Sequence, residues 1–188
     1  MPKKALVPIA DGSEEIEAVC IIDTLRRAEV DVTVASVTGE RQITASRKTK
    51  IVADALIEDC ADTTYDLIAL PGGMPGAEHL RDSEVLFEMI EDQRDAGRLY
   101  AAICASPAVA FLPHGMLAGR TATCFPSYRS LLEEAEDVEA GDERVVVDGN
   151  LVTSRGPGTA IEFALKLVEL LLDDPEKADG IGKRMLIK

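Results

Sequence analysis

The chain is poor in the residues that build metal sites, disulfide frameworks and nucleic-acid interfaces. Its four cysteines form no CxxC pair, and its two histidines are not closely spaced to any of them. This pattern argues against a zinc site or a disulfide framework and favours reduced thiols in the cytoplasm. Positively charged residues are also scarce, since the chain has 20 Lys and Arg against 34 Asp and Glu and a net charge of −14. Nucleic acid requires a basic footprint, so we expect no nucleic-acid partner.

Long apolar runs are missing as well. The longest falls far short of the roughly 20 residues that a bilayer-spanning helix needs, so no membrane association is expected. The opening residues MPKK lead directly into the strand-like ALVPIA, and we therefore expect no secretory leader. A chain of 188 residues can bury a sizeable core, and we expect residues 1–188 to form a single domain.

Strand-like and helix-like segments alternate along the chain. Apolar or β-branched stretches predict strands at 5–9, 30–37, 65–73, 98–104 and 120–125, and two more within 144–154. Helices are predicted at 11–28, at 85–97, from about Pro107 and at 159–172, and the end from Pro175 is expected to be a loose tail or a short helix. This alternation predicts an α/β fold with a mainly parallel central sheet between two layers of helices.

Local signals refine three of these elements. The spacings Asp11–Glu14 and Thr159–Glu162 predict capping boxes at the starts of two helices. The pair Asp148-Gly149 predicts a hairpin turn between the last two strands. The apolar positions of the first helix are expected on or near one inner face: Ile16, Val19, Cys20 and Leu25.

Cys104 stands where an apolar strand ends and where Ala-Ser-Pro and a helix-forming stretch begin. By residue type alone, a core cysteine is the more common case. At a helix start, however, free N–H groups and the helix dipole favour the thiolate, so we predict that Cys104 has the lowest pKa of the four cysteines. In parallel sheets ligands bind beyond the carboxyl ends of the strands, where Asp11–Glu17 and the Gly72-Gly73 turn are also expected.

Two neighbours of Cys104 suggest chemistry. Backbone N–H groups of the glycine turn would stabilise an oxyanion formed when the sulfur attacks a carbonyl. If Glu17 faces the sheet end, burial would keep it protonated, and it could act as a general acid or base. Glu14 and Glu15 are expected in solvent.

A Cys–His–acid site is a weaker interpretation of the same residues. His79 and His114 are the only histidines, and neither directly follows the cysteine. The helix after Cys104 should end near His114 and direct it away from the sulfur. Both histidines are therefore expected at the surface.

The segments GSEEIEA, LPGG, AAICASP and TSRGPGTAIEFAL, in this order, resemble the ThiJ/PfpI superfamily. Within it they resemble the branch of the Parkinsonism-associated deglycase and its bacterial YajL-like relatives. The resemblance extends from residue 4 to about residue 173. It implies a flavodoxin-like three-layer sandwich, a homodimer, and no metal or organic cofactor.

The positions of these motifs imply roles for individual residues. Cys104 matches the nucleophilic, oxidation-prone cysteine, and Glu17 matches its protonated partner. The resemblance further implies that the oxyanion-binding backbone belongs to Gly72, Gly73 and Ala105. It implies that Arg27 and Arg47 approach the pocket and that Arg155 and Pro157 belong to a segment beside it. Ala105 replaces the histidine that follows the cysteine in the protease-like branch. Some relatives have a histidine before a proline near the cysteine, but here Phe125 in TCFP takes that position, and no histidine-assisted proton relay is expected.

The resemblance implies several activities. These are glutathione-independent conversion of methylglyoxal to lactate, deglycation of adducts, redox-linked chaperoning and peroxide sensing. We expect a cofactor-independent enzyme on small aldehydes or glycated substrates, in which Cys104 adds to the carbonyl and Glu17 moves protons. The alternative is a non-enzymatic oxidative-stress sensor or redox-regulated chaperone in which Cys104 is oxidised to a sulfinate. The motifs alone do not separate the two.

Overall fold

Strands and helices alternate along residues 2–187, the part of the chain that the computed structural model describes. The strands are β1 (Lys4–Ile9), β2 (Asp31–Ser36), β3 (Gln42–Thr44), β4 (Lys50–Val52), β5 (Ala55–Leu56), β6 (Leu67–Leu70), β7 (Leu99–Ile103), β8 (Arg120–Ala122), β9 (Val138–Ala140), β10 (Val145–Asp148) and β11 (Leu151–Ser154). The helices are α1 (Glu15–Arg27), α2 (Gly76–Arg81), α3 (Glu84–Asp95), α4 (Arg129–Glu133), α5 (Ala160–Leu172) and α6 (Pro175–Arg184).

Seven of the strands form the central sheet, in the order β10-β11-β7-β6-β1-β2-β5. Every neighbouring pair is parallel except β10 and β11, which form an antiparallel hairpin. The predicted mainly parallel α/β sandwich is thus confirmed, and the order β2-β1-β6-β7-β11 is that of flavodoxin. The strand predicted at 120–125 is present as the shorter β8, which pairs with β9 outside the central sheet. The β3–β4 sheet and strand β9 were not predicted, because strands of three residues carry too little periodicity to recognise.

Alternate side chains of the strands face two helical layers. In β1, Ala5, Val7 and Ile9 belong to a core shared with α1, α5 and α6, whereas Leu6 belongs to the core on the side of α2 and α3. Burial of both faces explains why the strands read as continuous apolar runs. None of the helices within residues 2–187 is long and apolar enough to span a bilayer.

Helix α1 begins later than its sequence predicts. Glu14 is its N-cap, and the Glu14 carboxylate accepts a hydrogen bond of 2.8 Å from the Glu17 N–H. The Asp11 carboxylate instead accepts from the Thr44 N–H at 2.6 Å, so it fastens the β3–β4 hairpin. The capping box predicted at Asp11–Glu14 is therefore wrong.

The inner face of α1 also differs from the prediction. Its buried residues are Glu17, Ala18, Ile21, Thr24 and Leu25. Ile16 and Val19 are 53% and 51% exposed, and Cys20 is half-buried. The apolar pattern misled because α1 carries apolar residues on two faces, and small or polar residues occupy part of the inner one.

Three smaller expectations met different outcomes. Thr159 is the N-cap of α5, but its hydroxyl bonds Ser154 and the Gly156 N–H instead of a helix N–H, so the predicted capping box is wrong. The predicted hairpin is present, with its turn at residues 149–150, one position later than expected. The terminal helix α6 is confirmed, and it buries Ala178 and Ile181.

Candidate active site

Cys104 lies immediately after β7 and before a π-helical turn at Pro107–Phe111, the strand-to-helix junction at which the sequence places it. Its φ is +66°, in the left-handed region that residues with a Cβ rarely adopt. Hydrogen bonds on both sides hold this turn: the Cys104 N–H donates to the Ser154 carbonyl at 3.0 Å, and its carbonyl accepts from the Phe125 N–H at 2.7 Å. Such a constrained, strained turn is typical of nucleophile elbows.

The loop Pro71-Gly72-Gly73 follows β6, the neighbour of β7, and lies against Cys104. A Cβ on Gly72 would stand 2.6 Å from the Cys104 Cβ, so the close approach requires glycine. The Ser106 hydroxyl donates a hydrogen bond of 2.6 Å to the Pro71 carbonyl and ties the loop to the cysteine turn. The two strand ends therefore form one rigid unit.

Glu17 reaches the same point from α1 and is fully buried. Its Oε2 accepts a hydrogen bond of 2.7 Å from the Gly72 N–H. Its Oε1 is buried without a conventional hydrogen-bond partner, and the Cys104 thiol is the side chain with which the carboxyl interacts. Because Oε2 already accepts a hydrogen bond, a proton on Glu17 belongs on Oε1.

Burial is the largest influence on both groups. It raises the pKa of Glu17 to about 7, against the lowering effect of the hydrogen bonds with Gly72 and Cys104. Burial, and then the charge of Glu17, raise the pKa of Cys104, while the N–H groups of Gly73 and Ala105 oppose the rise. The expectation that the helix start lowers the pKa of Cys104 is therefore wrong in direction, because burial and the charge of Glu17 raise that pKa.

The two groups behave as a pair that shares a proton. A carboxylate and a thiolate in contact in a buried site repel strongly, so the pair keeps one proton when the first has left near pH 7. With that proton on Glu17 the sulfur is a thiolate, and with it on Cys104 the carboxylate is a base in contact with the thiol. Both arrangements activate the sulfur, because the proton can move to Glu17 as the sulfur attacks.

The backbone donors at the sulfur differ from the expected set. Gly73 and Ala105 direct their N–H groups at the Cys104 sulfur. The Gly72 N–H is already bonded to Glu17, so Gly72 is not an oxyanion donor as expected but permits the loop to approach the cysteine. Two N–H groups thus remain to stabilise negative charge on a carbonyl oxygen added at the sulfur.

A cavity of about 260 Å³ opens above the sulfur. It is lined by Glu14, Ser46, Arg47, Gly73, Met74, Cys104, Ala105, Phe125, Ser127, Tyr128 and Pro157. Of the residues expected near the pocket, the lining thus includes Arg47, Phe125 and Pro157. Four lining residues adjoin recognised motifs or residues but carry no signal of their own, and the sequence did not predict them: Ser46, Met74, Ser127 and Tyr128.

The other two arginines do not line the cavity. Arg27 lies at the far end of α1, about 15 Å along the helix from Glu17, and pairs with Asp23 at 2.6 Å. The Arg155 guanidinium donates to the Asp142 carbonyl at 3.4 Å and lies near Cys124. The expectation that Arg27 approaches the pocket is wrong within this chain, because the length of the helix separates it from Glu17.

The two histidines also lie away from the sulfur. His79 is exposed and contacts the Asp11 carbonyl, as expected of a surface residue. His114 is half-buried rather than at the surface, because its ring stacks on Phe87 at 3.6 Å. Neither can take part in a Cys–His pair with Cys104.

The acidic residues at the start of α1 are structural, not simply solvated. Glu14 caps the helix and borders the cavity. Glu15 accepts hydrogen bonds of 2.9 Å from the Ser46 hydroxyl and the Arg47 N–H. Although burial opposes it, these bonds and others lower the pKa of Glu15 to about 2. Glu15 thereby holds the exposed Arg47 at the rim of the cavity.

The fold and this site define a class: flavodoxin-like α/β proteins with a cysteine on a left-handed turn beside a buried carboxyl group. Comparison with known proteins narrows the class, because residues 3–170 match the model of the DJ-1/PfpI family. The chain belongs to this family.

Individual relatives agree with this assignment. The glutathione-independent glyoxalase DJR-1.2 of Caenorhabditis elegans is 36% identical, over 98% of this chain and 97% of its own length. Protein DJ-1 homolog B of Arabidopsis thaliana is 54% identical over 87% of this chain but 37% of its own length, so the chain spans less than half of that relative. The structure of oxidized Toxoplasma gondii DJ-1 superposes with a TM-score of 0.93 at 49% identity, covering 98% of both chains.

Proposed function

We propose that the chain is a cofactor-independent enzyme that converts reactive 2-oxoaldehydes such as methylglyoxal to hydroxy acids. Buried Glu17, whose Oε1 has no conventional partner and whose carboxyl group interacts with the Cys104 thiol, is the observation that carries this proposal. The C. elegans relative named a glutathione-independent glyoxalase supports the reaction class. Thiols and amines that have been glycated by these aldehydes carry the same carbonyl compound in bound form, so deglycation fits the site as well.

The first step is addition of the sulfur to the aldehyde. The Cys104 sulfur forms a bond to the aldehyde carbon while its proton passes to Glu17 Oε1. Negative charge develops on the aldehyde oxygen, where the N–H groups of Gly73 and Ala105 stabilise it. Return of the proton gives a hemithioacetal.

The second step moves a hydrogen within the substrate. Glu17 removes the proton from the former aldehyde carbon, and the adjacent ketone is protonated, so an enediol and then a thioester form. Water hydrolyses the thioester, which releases lactate and restores the thiol. One carbon is oxidised and its neighbour is reduced, so the balance needs only water.

Arg47 at the rim of the cavity, Phe125 and the cellular compartment complete this proposal. The Arg47 guanidinium is exposed at the cavity and is suited to bind the carbonyl oxygen or the product carboxylate. With Phe125 in place of a histidine, proton transfer falls to Glu17 alone. We place the activity in the cytoplasm, where a reducing environment would keep the four free cysteines as thiols.

A redox sensor is the second candidate. The related Toxoplasma gondii structure is of an oxidized protein. In this chain the Gly73 and Ala105 N–H groups that would stabilise an oxyanion would equally stabilise the oxygens of a sulfinate on Cys104. The sensor needs no turnover, so the two candidates differ in their products.

Counting product distinguishes them. Wild-type protein is incubated with methylglyoxal in the absence of glutathione, and lactate is measured against protein concentration. The enzyme proposal expects lactate in many-fold excess over protein, whereas lactate at or below the protein concentration would favour the sensor.

We also propose that the chain forms a homodimer through α1. Ile16, Val19 and Val52 are 53%, 51% and 67% exposed. The Arg47 N–H donates a hydrogen bond to the Glu15 carboxylate, and the Arg26 guanidinium donates one to Asp54. These bonds hold residues 47–54 alongside α1, so the three apolar side chains lie on neighbouring elements. Burial of such a patch against a second copy would remove apolar surface from water.

Sedimentation equilibrium tests the dimer. We expect wild-type chain to be dimeric at tens of micromolar and Val19→Glu to be monomeric, because the substitution would bury a charge in the interface. Val147→Glu is the matched control, since Val147 is 42% exposed on the edge strand β10, and it should remain dimeric. A monomeric wild-type chain would contradict the proposal.

A further inference from the structure

One wall of the cavity above Cys104 consists of apolar side chains that water reaches. Phe125 and Met74 are each 38% exposed, and Tyr128 and Pro157 are half-buried beside the same cavity. Large apolar side chains exposed in a concave site are typical of surfaces that bind an apolar group. Methylglyoxal offers only a methyl group and would leave most of this wall in water.

Phe125 is held rigidly relative to the sulfur. Its N–H is bonded to the carbonyl of Cys104, and its own carbonyl accepts from the Tyr128 N–H at 2.9 Å. Its ring lies over Gly156, where a Cβ would be 3.1 Å from the Phe125 Cδ2. The ring is therefore a preformed surface beside the reacting atom.

We propose that the site prefers 2-oxoaldehydes with an aromatic substituent and that Phe125 is the residue that determines this preference. The proposal rests on the function proposed above and narrows its substrate class. An aryl group on the ketone carbon would contact Phe125 and Tyr128, and aromatic rings pair favourably in stacked or edge-to-face geometry. The cavity of about 260 Å³ approaches the size of ordinary ligand sites, so the larger substrate is not excluded by volume.

The chemistry is unchanged for the aryl substrate. With phenylglyoxal, the Cys104 sulfur bonds to the aldehyde carbon, a proton moves from that carbon to the neighbouring one, and water releases the acyl group from sulfur. The product is mandelate, and no other reactant is consumed. The comparison of phenylglyoxal with methylglyoxal therefore isolates the contribution of the substituent.

The first experiment measures kcat/KM for phenylglyoxal and methylglyoxal and takes their ratio. We expect wild type to favour phenylglyoxal by about tenfold or more, the scale on which apolar pockets discriminate. Phe125→Ala should lower the ratio by about tenfold, mainly through the KM of phenylglyoxal, whereas Phe125→Tyr keeps the ring and should retain the ratio. Val147→Ala, at an exposed position on β10, is the matched control. A wild-type ratio near one, or an unchanged ratio in Phe125→Ala, would overturn the proposal.

A binding measurement separates this proposal from the function on which it rests. Mandelate and lactate are titrated calorimetrically into Cys104→Ala protein and into the same protein carrying Phe125→Ala. Tighter binding of mandelate that is lost with Phe125 supports the aromatic subsite even if neither aldehyde is turned over, a result that would overturn the proposed function alone. Equal binding of the two acids, with methylglyoxal turned over, would overturn the subsite alone.

Discussion

The Glu17→Gln variant is expected to convert methylglyoxal about 10²–10⁴-fold more slowly than wild type, the range typical of a lost general acid–base group. Glutamine can still accept the Gly72 N–H and place an amide near the sulfur, so the geometry of the turn is preserved. It cannot take the thiol proton or move the hydrogen between the two carbons. The loss should therefore appear in kcat.

Two further readouts distinguish this role from a structural one. The charge of Glu17 raises the pKa of Cys104, so removing it should increase the rate at which Cys104 reacts with iodoacetamide at neutral pH. In wild type, kcat should decrease as the pH falls below the Glu17 pKa of about 7, and this acid limb of the pH profile of kcat should disappear in the variant. A variant that turns over at the wild-type rate, or a limb that persists unchanged, would show that Glu17 is only a neighbour.

The same substitution is expected to stabilise the folded protein at high pH. Burial raises the pKa of Glu17 from 4.5 to about 7, so between these values the unfolded chain releases a proton that the native state retains. The stabilisation that protonated Glu17 gives to the folded state is fully present below pH 4.5, decreases as the pH rises through 7, and is constant at higher pH. The ionised carboxylate costs about 3 kcal/mol above pH 7, and Glu17→Gln removes that cost.

Urea unfolding at pH 4.5 and at pH 8 measures this effect. We expect the free energy of unfolding of Glu17→Gln to exceed that of wild type at pH 8 and to differ little at pH 4.5. Glu15→Gln is a control of opposite sign, because the pKa of Glu15 is lowered to about 2 and its stabilisation is present at neutral pH. A Glu17→Gln variant that is less stable than wild type at pH 8 would contradict the assignment of a raised pKa.

The sequence predicted the parts of this protein that depend on local pattern. The strands of the central sheet are buried on both faces, so they stand out as apolar runs, and their alternation with helices leads to the correct fold class. The position of Cys104 followed from the end of one such run, and the adjacent glycine turn followed from the end of its neighbour. Both are properties of short segments of chain.

What the sequence did not predict depends on contacts between distant segments. The Gly72 N–H is occupied by Glu17, 55 positions away, and no local signal marks it as unavailable. The pKa of Cys104 is governed by burial and by Glu17, whereas position at a helix start suggested the opposite direction. Tyr128 and Met74 enter the cavity because separate loops converge there, which periodicity cannot reveal.

Lactate formation by Cys104→Ser protein, beside a Cys20→Ser control, tests whether Cys104 is the nucleophile. Cys20 is half-buried on α1 and outside the cavity, so its replacement removes a thiol without touching the site. We expect Cys20→Ser to produce lactate from methylglyoxal as wild type does and Cys104→Ser to produce none above the protein-free rate. Wild-type lactate formation by a folded Cys104→Ser protein would contradict the assignment of Cys104 as the nucleophile.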